Sequence, residues 1–325
     1  MHIKVYCVVE SNELRIFFLY YSRMNIKYPL VLDGGLSNVL EEQGCDLNHK
    51  LWSAILLDSN PEAIIQAHLS YLNAGAQCIT TSSYQASISG FMSIGYNRKE
   101  SENTILKTVQ LAELAIERFM KLSKCKIKPL IAASVGPYGA YLSDGSEYHG
   151  DYGVSNEVLY DFHKTRIKLL DGSNANLIAC ETIPSFQEAK VLADILKSTN
   201  KSAWISFSCK DESHINDGTP IKECIAYFED HSNIFALGVN CTAPKYISGL
   251  IKIVKSESQS KRVVVYPNSG EAYNAESKTW LGLAEPESFV QMSKEWQHLG
   301  ADIIGGCCRI GPSHIKRIKE IINNF

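Results

Sequence analysis

At 325 residues the chain can hold one large α/β barrel or two ordinary domains, and its 45% hydrophobic and 21% charged content suits a globular protein with an ample core. A net charge of −3 leaves no basic field for nucleic acid or an anionic membrane surface, so neither is an expected partner. No apolar stretch reaches the length of a membrane span, and the ten cysteines lack the dense spacing of a small secreted scaffold, which points to a reducing, cytoplasmic setting.

Residues 1–27 differ in character from the rest of the chain. One short apolar patch, IFFLYY, lies between Arg15 and Arg23, without the longer apolar region and cleavage site of a signal peptide. We expect an appendage without a catalytic role, with Met24 as an alternative start.

From residue 28 to 325 strand-like runs alternate with helical patterns. YPLVLDGG (28–35) is followed by a helix from Pro61, with Asn60 as its cap and Gly75 marking its end. AQCITTSSY (76–84) precedes the clearest helix, 99–121, which places Ile105, Val109, Ala112, Ile116 and Phe119 on one face. KPLIAASVG (128–136) leads into a long polar loop, 137–153, and a helix at about 156–171. ANLIACET (175–182), AWISFSC (203–209), IFALGVNC (234–241), RVVVYPNS (262–269) and ADIIGGCC (301–308) continue the series, each followed by a helix or by a loop and a helix. Eight such units over about 300 residues predict a single-domain, TIM-like (β/α)8 barrel with parallel strands. An open doubly wound sheet is disfavoured because no G-x-G-x-x-G follows the first strand.

A parallel barrel gathers its functional groups where the strands end, and polar residues do collect there. Asp33 closes the first run, Tyr84 the second, Glu181 and Thr182 the fourth, Cys241 the sixth, Asn268 the seventh, and Cys307 with Cys308 the eighth. Neighbouring residues of a regular strand face opposite ways, so Cys307 and Cys308 can share an ion only where the strand has ceased to be regular. Gly305 and Gly306 are expected to supply the backbone freedom for that break. Three thiolates bind zinc and leave a fourth position open, the catalytic pattern; the competing reading is that these cysteines are small buried hydrophobes. Asp33 and Glu181 serve either as substrate-binding carboxylates or as a turn cap and an arginine partner. Of the nine histidines, His149 falls in the long loop, where surface imidazole competes with substrate contact. No rim histidine suggests itself as a proton relay.

Nine tracts resemble the homocysteine S-methyltransferase family, in particular its S-methylmethionine-using members. They are LDGG (32–35), LWSA (51–54), AGAQCITTSSYQA (74–86), SVGPYGAYLSDGSEYHGDYG (134–153), CETIP (180–184), DGTP (217–220), GVNC (238–241), VYPNSGEAYNAESKTW (265–280) and IIGGCCR (303–309). The resemblance implies a (β/α)8 barrel with one zinc ion per chain, held by Cys241, Cys307 and Cys308. It further implies that Asp33 and Glu181 contribute to homocysteine binding. Betaine-using relatives carry a tyrosine directly after the glutamate; Thr182 stands there here.

The implied reaction transfers a methyl group from S-methylmethionine, or S-adenosylmethionine, to homocysteine, giving methionine. A betaine- or selenocysteine-type enzyme and a non-catalytic thiol- or zinc-binding barrel are the alternatives. Asn268 is grouped with the substrate-binding residues. Aromatic faces hold a sulfonium well, and Trp52, Tyr84, Tyr138 and Tyr148 are the candidates. The chain stops at Phe325 without the carboxyl-terminal arm that supports oligomers in betaine-using relatives, so a monomer is expected, which sedimentation checks.

Overall fold

The expected alternation resolves, in a computed structural model, into strands that share one parallel sheet. The described residues are 27–48, 51–270, 272–274, 279–281 and 286–322; all but the last residue of the expected amino-terminal appendage lies outside them. The strands are β1 (Leu30–Val31), β2 (Cys78–Thr80), β3 (Leu130–Val135), β4 (Leu177–Ile183), β5 (Ala203–Phe207), β6 (Ile234–Asn240), β7 (Arg262–Tyr266) and β10 (Ile303–Ile304). Their order is β1-β10-β7-β6-β5-β4-β3-β2, and a parallel bridge from Leu32 to Cys78 brings the two ends together. This is the predicted eight-stranded barrel. The stretch after β7, read from the sequence as a loop, contains a small antiparallel hairpin, β8 (Ala272–Asn274) with β9 (Thr279–Leu281).

The helices begin and end where their sequence signals stand. In Pro61–Ala74, Asn60 accepts from the Ala63 N–H and Gly75 closes the helix with φ of 105°, a left-handed conformation natural to glycine. Arg98–Leu122 starts with a reciprocal capping box between Asn97 and Glu100. It buries Ile105, Val109, Ala112 and Ile116, with Phe119 partly covered.

Period-2 alternation divides each strand between two cores. One residue set, including Ile79, Ile131, Ile178, Ile205, Leu237 and Val265, packs outward beneath the helices. The other set, including Leu32, Cys78, Ala132, Leu177, Ala179, Trp204, Ala236, Val264 and Ile303, fills the barrel interior. Small residues stand beside the fully buried Trp204 because its ring takes the space that larger neighbours would need. Gly238 continues the inward row of β6, and a Cβ there would sit 1.8 Å from the Val264 carbonyl oxygen. That atom belongs to the backbone and cannot swing aside. Gly238→Ala is therefore expected to cost about 3 kcal/mol or more, the upper end of overpacking, measured as a lowered melting midpoint.

Candidate functional site

Following the inward parity to the carboxyl ends of the strands changes the chemistry of the barrel core. The inward residues after Ala132, Ala179, Trp204, Gly238 and Val264 are Ser134, Glu181, Ser206, Asn240 and Tyr266, all buried. They satisfy one another. Tyr266 Oη lies 2.7 Å from Ser206 Oγ and accepts from Trp204 Nε1 at 3.0 Å. Ser206 Oγ donates to Asn240 Oδ1 at 2.8 Å, and Asn240 Nδ2 donates to Thr182 Oγ1 at 2.7 Å. Ser134 donates to Glu181 Oε1, and the Tyr266 hydroxyl helps to hold that carboxyl's pKa down. A polar layer thus caps an apolar one, with few donors and acceptors left idle.

At this level the backbone leaves regular geometry. The pairing of β4 with β5 shifts register between Cys180 and Ile183, and Thr182 has φ of 60°. Cys241 follows with φ of 47° and Arg309 with φ of 66°. Non-glycine residues adopt this region sparingly, and such positions gather at functional sites. β10 ends at Ile304, so both vicinal cysteines lie beyond the strand, as their sharing of one site requires.

The reason for the two glycines differs from expectation: neither Gly305 nor Gly306 has positive φ. They are there for close approach. A Cβ on Gly305 would meet Leu32 Cβ at 2.5 Å, and one on Gly306 would meet Ile310 Cγ2 at 2.1 Å.

The three thiols converge. Cys241 Sγ is 3.8 Å from Cys308 Sγ, and Cys307 Sγ is 4.0 Å from Cys308 Sγ. All three lie within 4.8 Å of one another and form a group able to hold a metal ion. A tetrahedral zinc with bonds of about 2.3 Å sets its sulfurs about 3.8 Å apart, so the donor set and its spacing fit that metal. Backbone bonds fix the two contributing segments through the loop after β7. Cys241 N donates to Tyr266 O, Cys307 N to Pro267 O at 2.8 Å, Asn268 N to Thr242 O, and Ser269 N to Cys308 O.

Electrostatics at the thiols are those of crowded acids. Hydrogen bonds from Cys241, then Cys307, hold the Cys308 thiol well below its usual range, while Cys307 is pushed well up by its contacts to Cys241 and Cys308 and by burial. Several thiolates cannot coexist here without a cation.

Two carboxylates face the same mouth. Asp33 is 3% exposed, accepts from Thr80 N at 2.8 Å and from Thr80 Oγ1, and is pushed well up by burial, with Glu181 adding to the rise. Burial raises Glu181 to about 7, against the hydrogen bonds from Ser134 and Tyr266 and with a further push from Cys308. Among the described residues Glu181 pairs with no arginine; hydroxyls face it instead. Nor does Asp33 merely cap its own turn, since it reaches across to the end of β2.

The remaining expected residues divide. Tyr84 hydrogen-bonds to Thr182 and feels the charges of Cys241 and Cys307. Tyr148 is 62% exposed but its hydroxyl end is pushed up by desolvation and then by Cys241 and Cys308, so it belongs to the thiol mouth. Asn268 lies on the rim with its side-chain oxygen taken by Gly270 N at 3.0 Å, while its backbone ties the loop to Thr242. Tyr138 packs among Tyr141, Tyr152 and Phe162 at centroid distances of 5.0–5.7 Å and is not brought to the thiols. Trp52 opens the short turn Trp52–Ile55, and its side chain lies outside the described residues. His149 is exposed in the loop.

Sequence reasoning missed Ser134, Ser206, Asn240 and Tyr266. The inward parity of their strands was the available signal.

Comparison with known proteins agrees with this geometry. A family model described as Homocysteine S-methyltransferase matches residues 30–322. The chain is 47% identical over 296 residues to homocysteine S-methyltransferase YbgG of Bacillus subtilis, covering 90% of this chain and 94% of that one. It is 44% identical to homocysteine S-methyltransferase 2 of Zea mays, covering 90% of each. Among solved structures, the metallated form of the homocysteine methyltransferase MmuM from Escherichia coli superposes with a TM-score of 0.83 at 38% identity, covering 95% of this chain and 99% of that one.

Proposed function

We propose, for a chain that belongs to the homocysteine S-methyltransferase family, that it is a zinc enzyme moving a methyl group from S-methylmethionine to the sulfur of homocysteine. The observation that carries the reading is the convergence of three thiols at the strand ends, faced in the same mouth by two buried carboxylates. Zinc held by Cys241, Cys307 and Cys308 would keep the homocysteine sulfur deprotonated at neutral pH, the state in which it is nucleophilic.

The chain's own groups do the rest. Asp33 and Glu181, two carboxyls that burial pushes up, with Glu181 adding to the rise at Asp33, gain most from a cationic partner, and the homocysteine ammonium is that partner. Tyr84 and Tyr148 offer aromatic faces and hydroxyls beside the thiols, suited to a sulfonium. The donor methyl is already activated. Its bond to sulfur breaks with the electron pair leaving on a neutral thioether, so the step needs alignment rather than an acid. Asn240 holds Thr182 through two hydrogen bonds, N to Oδ1 at 2.6 Å and Nδ2 to Oγ1 at 2.7 Å, and so steadies the residue beside Glu181.

A monomer in a reducing, cytoplasmic setting completes the proposal, with sedimentation as the check on its assembly. The zinc-loaded protein, assayed with homocysteine and S-methylmethionine, S-adenosylmethionine or betaine, is expected to yield methionine from S-methylmethionine. No methionine from either sulfonium would overturn the proposal, and turnover with betaine alone would place the protein among the betaine-using enzymes.

A further inference from the structure

The loop 137–153 contains a carboxylate that the proposed reaction leaves unused. After β3 the chain forms a short helix, Tyr138–Leu142, and a tight turn, Ser146–Tyr148. The turn is clamped. A Cβ on Gly139 would lie 2.5 Å from Glu147 N, and one on Gly150 would lie 2.6 Å from Pro184 O, just past β4. Gly136 N donates to Tyr84 O at 3.2 Å, and Gln85 Nε2 to Ala140 O at 2.9 Å, which ties the loop to the segment after β2. Beneath it, buried Glu188 accepts from Tyr138 N at 2.6 Å and from Tyr152 Oη at 2.9 Å, and pairs with His163 at 2.7 Å. The turn is thus fixed over the mouth between the ends of β2 and β4.

Within that fixed turn, Glu147 Oε2 is buried and has no hydrogen-bond partner among the described residues. A buried carboxylate oxygen left without a donor is costly, and is retained where something supplies the donor. Two tyrosines locate it. Tyr84 and Tyr148 each feel both Glu147 and the thiols. Glu147 neighbours Tyr148 in the chain, and the loop is tied to Tyr84 and Gln85 by the bonds of Gly136 N and Gln85 Nε2, so its carboxylate stands on the tyrosine side of the mouth.

We propose that Glu147 binds the α-ammonium of the methyl donor, an assignment that rests on the donor being a sulfonium amino acid. The sulfonium must lie against the acceptor sulfur, whereas the ammonium of the same amino acid sits a short chain away, within reach of the turn that carries Glu147. The ammonium also fits the energetics better. Sulfonium charge disappears during transfer, so a carboxylate placed on it would stabilise the ground state over the transition state; the ammonium keeps its charge, and binding it lowers KM without slowing the chemistry.

The test compares wild type and E147Q, both zinc-loaded and saturated with homocysteine, using S-methylmethionine and its desamino analogue 4-(dimethylsulfonio)butyrate. E147Q should raise KM for S-methylmethionine by about tenfold or more with kcat little changed. The desamino donor should be used equally poorly by both proteins, and homocysteine affinity and melting midpoint should not move. An active wild type with an unchanged KM in E147Q, or an equal loss for both donors, would overturn the assignment alone. A folded, zinc-loaded wild type inert toward S-methylmethionine would overturn the donor reading and this assignment with it.

Discussion

Replacing any one of Cys241, Cys307 or Cys308 with alanine is expected to reduce methyl transfer by on the order of 1,000-fold or more, equivalent to several kcal/mol of lost activation of the acceptor sulfur. Metal content should fall with activity. The barrel should not fall with it. The segments bearing the thiols are held by backbone bonds from Cys241 N to Tyr266 O, Cys307 N to Pro267 O and Ser269 N to Cys308 O, none of which involves a sulfur atom. The interior beneath is a continuous apolar core around Trp204, large enough to fold without a metal. Each variant should therefore melt cooperatively, at the midpoint of wild type stripped of metal. Variants retaining near-normal activity would overturn the mechanism, and variants that lose metal and unfold together would show the site to be structural.

The second large effect is expected from Glu181→Gln. The substitution preserves size and leaves an acceptor for Ser134 and Tyr266, so the polar layer of Ser134, Ser206, Asn240 and Tyr266 should stay intact. What it removes is charge. A charge-assisted hydrogen bond to a buried ammonium contributes about 1.5–3 kcal/mol, so homocysteine affinity should fall by roughly 10- to 150-fold. Metal content should be retained because no thiol is touched. Calorimetric titration of homocysteine, with metal analysis of the same sample, reads both quantities. Unchanged affinity would remove Glu181 from the substrate site, and loss of metal would make it a support of the thiols.

Much of this molecule could be read from the chain because strand period and barrel topology act together. Once apolar runs alternate with helices, the carboxyl end of every run becomes a site position, and Cys241, Cys307, Cys308, Asp33 and Glu181 emerge directly. Side-chain direction was harder to read. Tyr138 stands in the same loop as Tyr148 yet packs into the ring cluster with Tyr141, Tyr152 and Phe162, a choice made by tertiary contact.

The vicinal glycines show a second limit. Gly305 and Gly306 are demanded by Leu32, Asp33 and Ile310, residues from other parts of the barrel wall and rim, and no local pattern reports that demand. Ser206 and Tyr266 look like ordinary strand residues until the register sets Tyr266 opposite Asn240 and Ser206 opposite Gly238. Glu147 is hidden for a related reason. An acidic residue in a polar loop reads as solvated, and only the folded turn buries its oxygen.

The proposed reaction depends first on uptake of the acceptor thiol at the three cysteines. Titrating homocysteine into the cobalt-substituted protein tests it most directly. The prediction is a rise in thiolate-to-cobalt absorption that saturates at one homocysteine per chain, is not produced by methionine, and is absent from Cys308→Ala. A spectrum unchanged by homocysteine, in a protein that holds its cobalt, would contradict it.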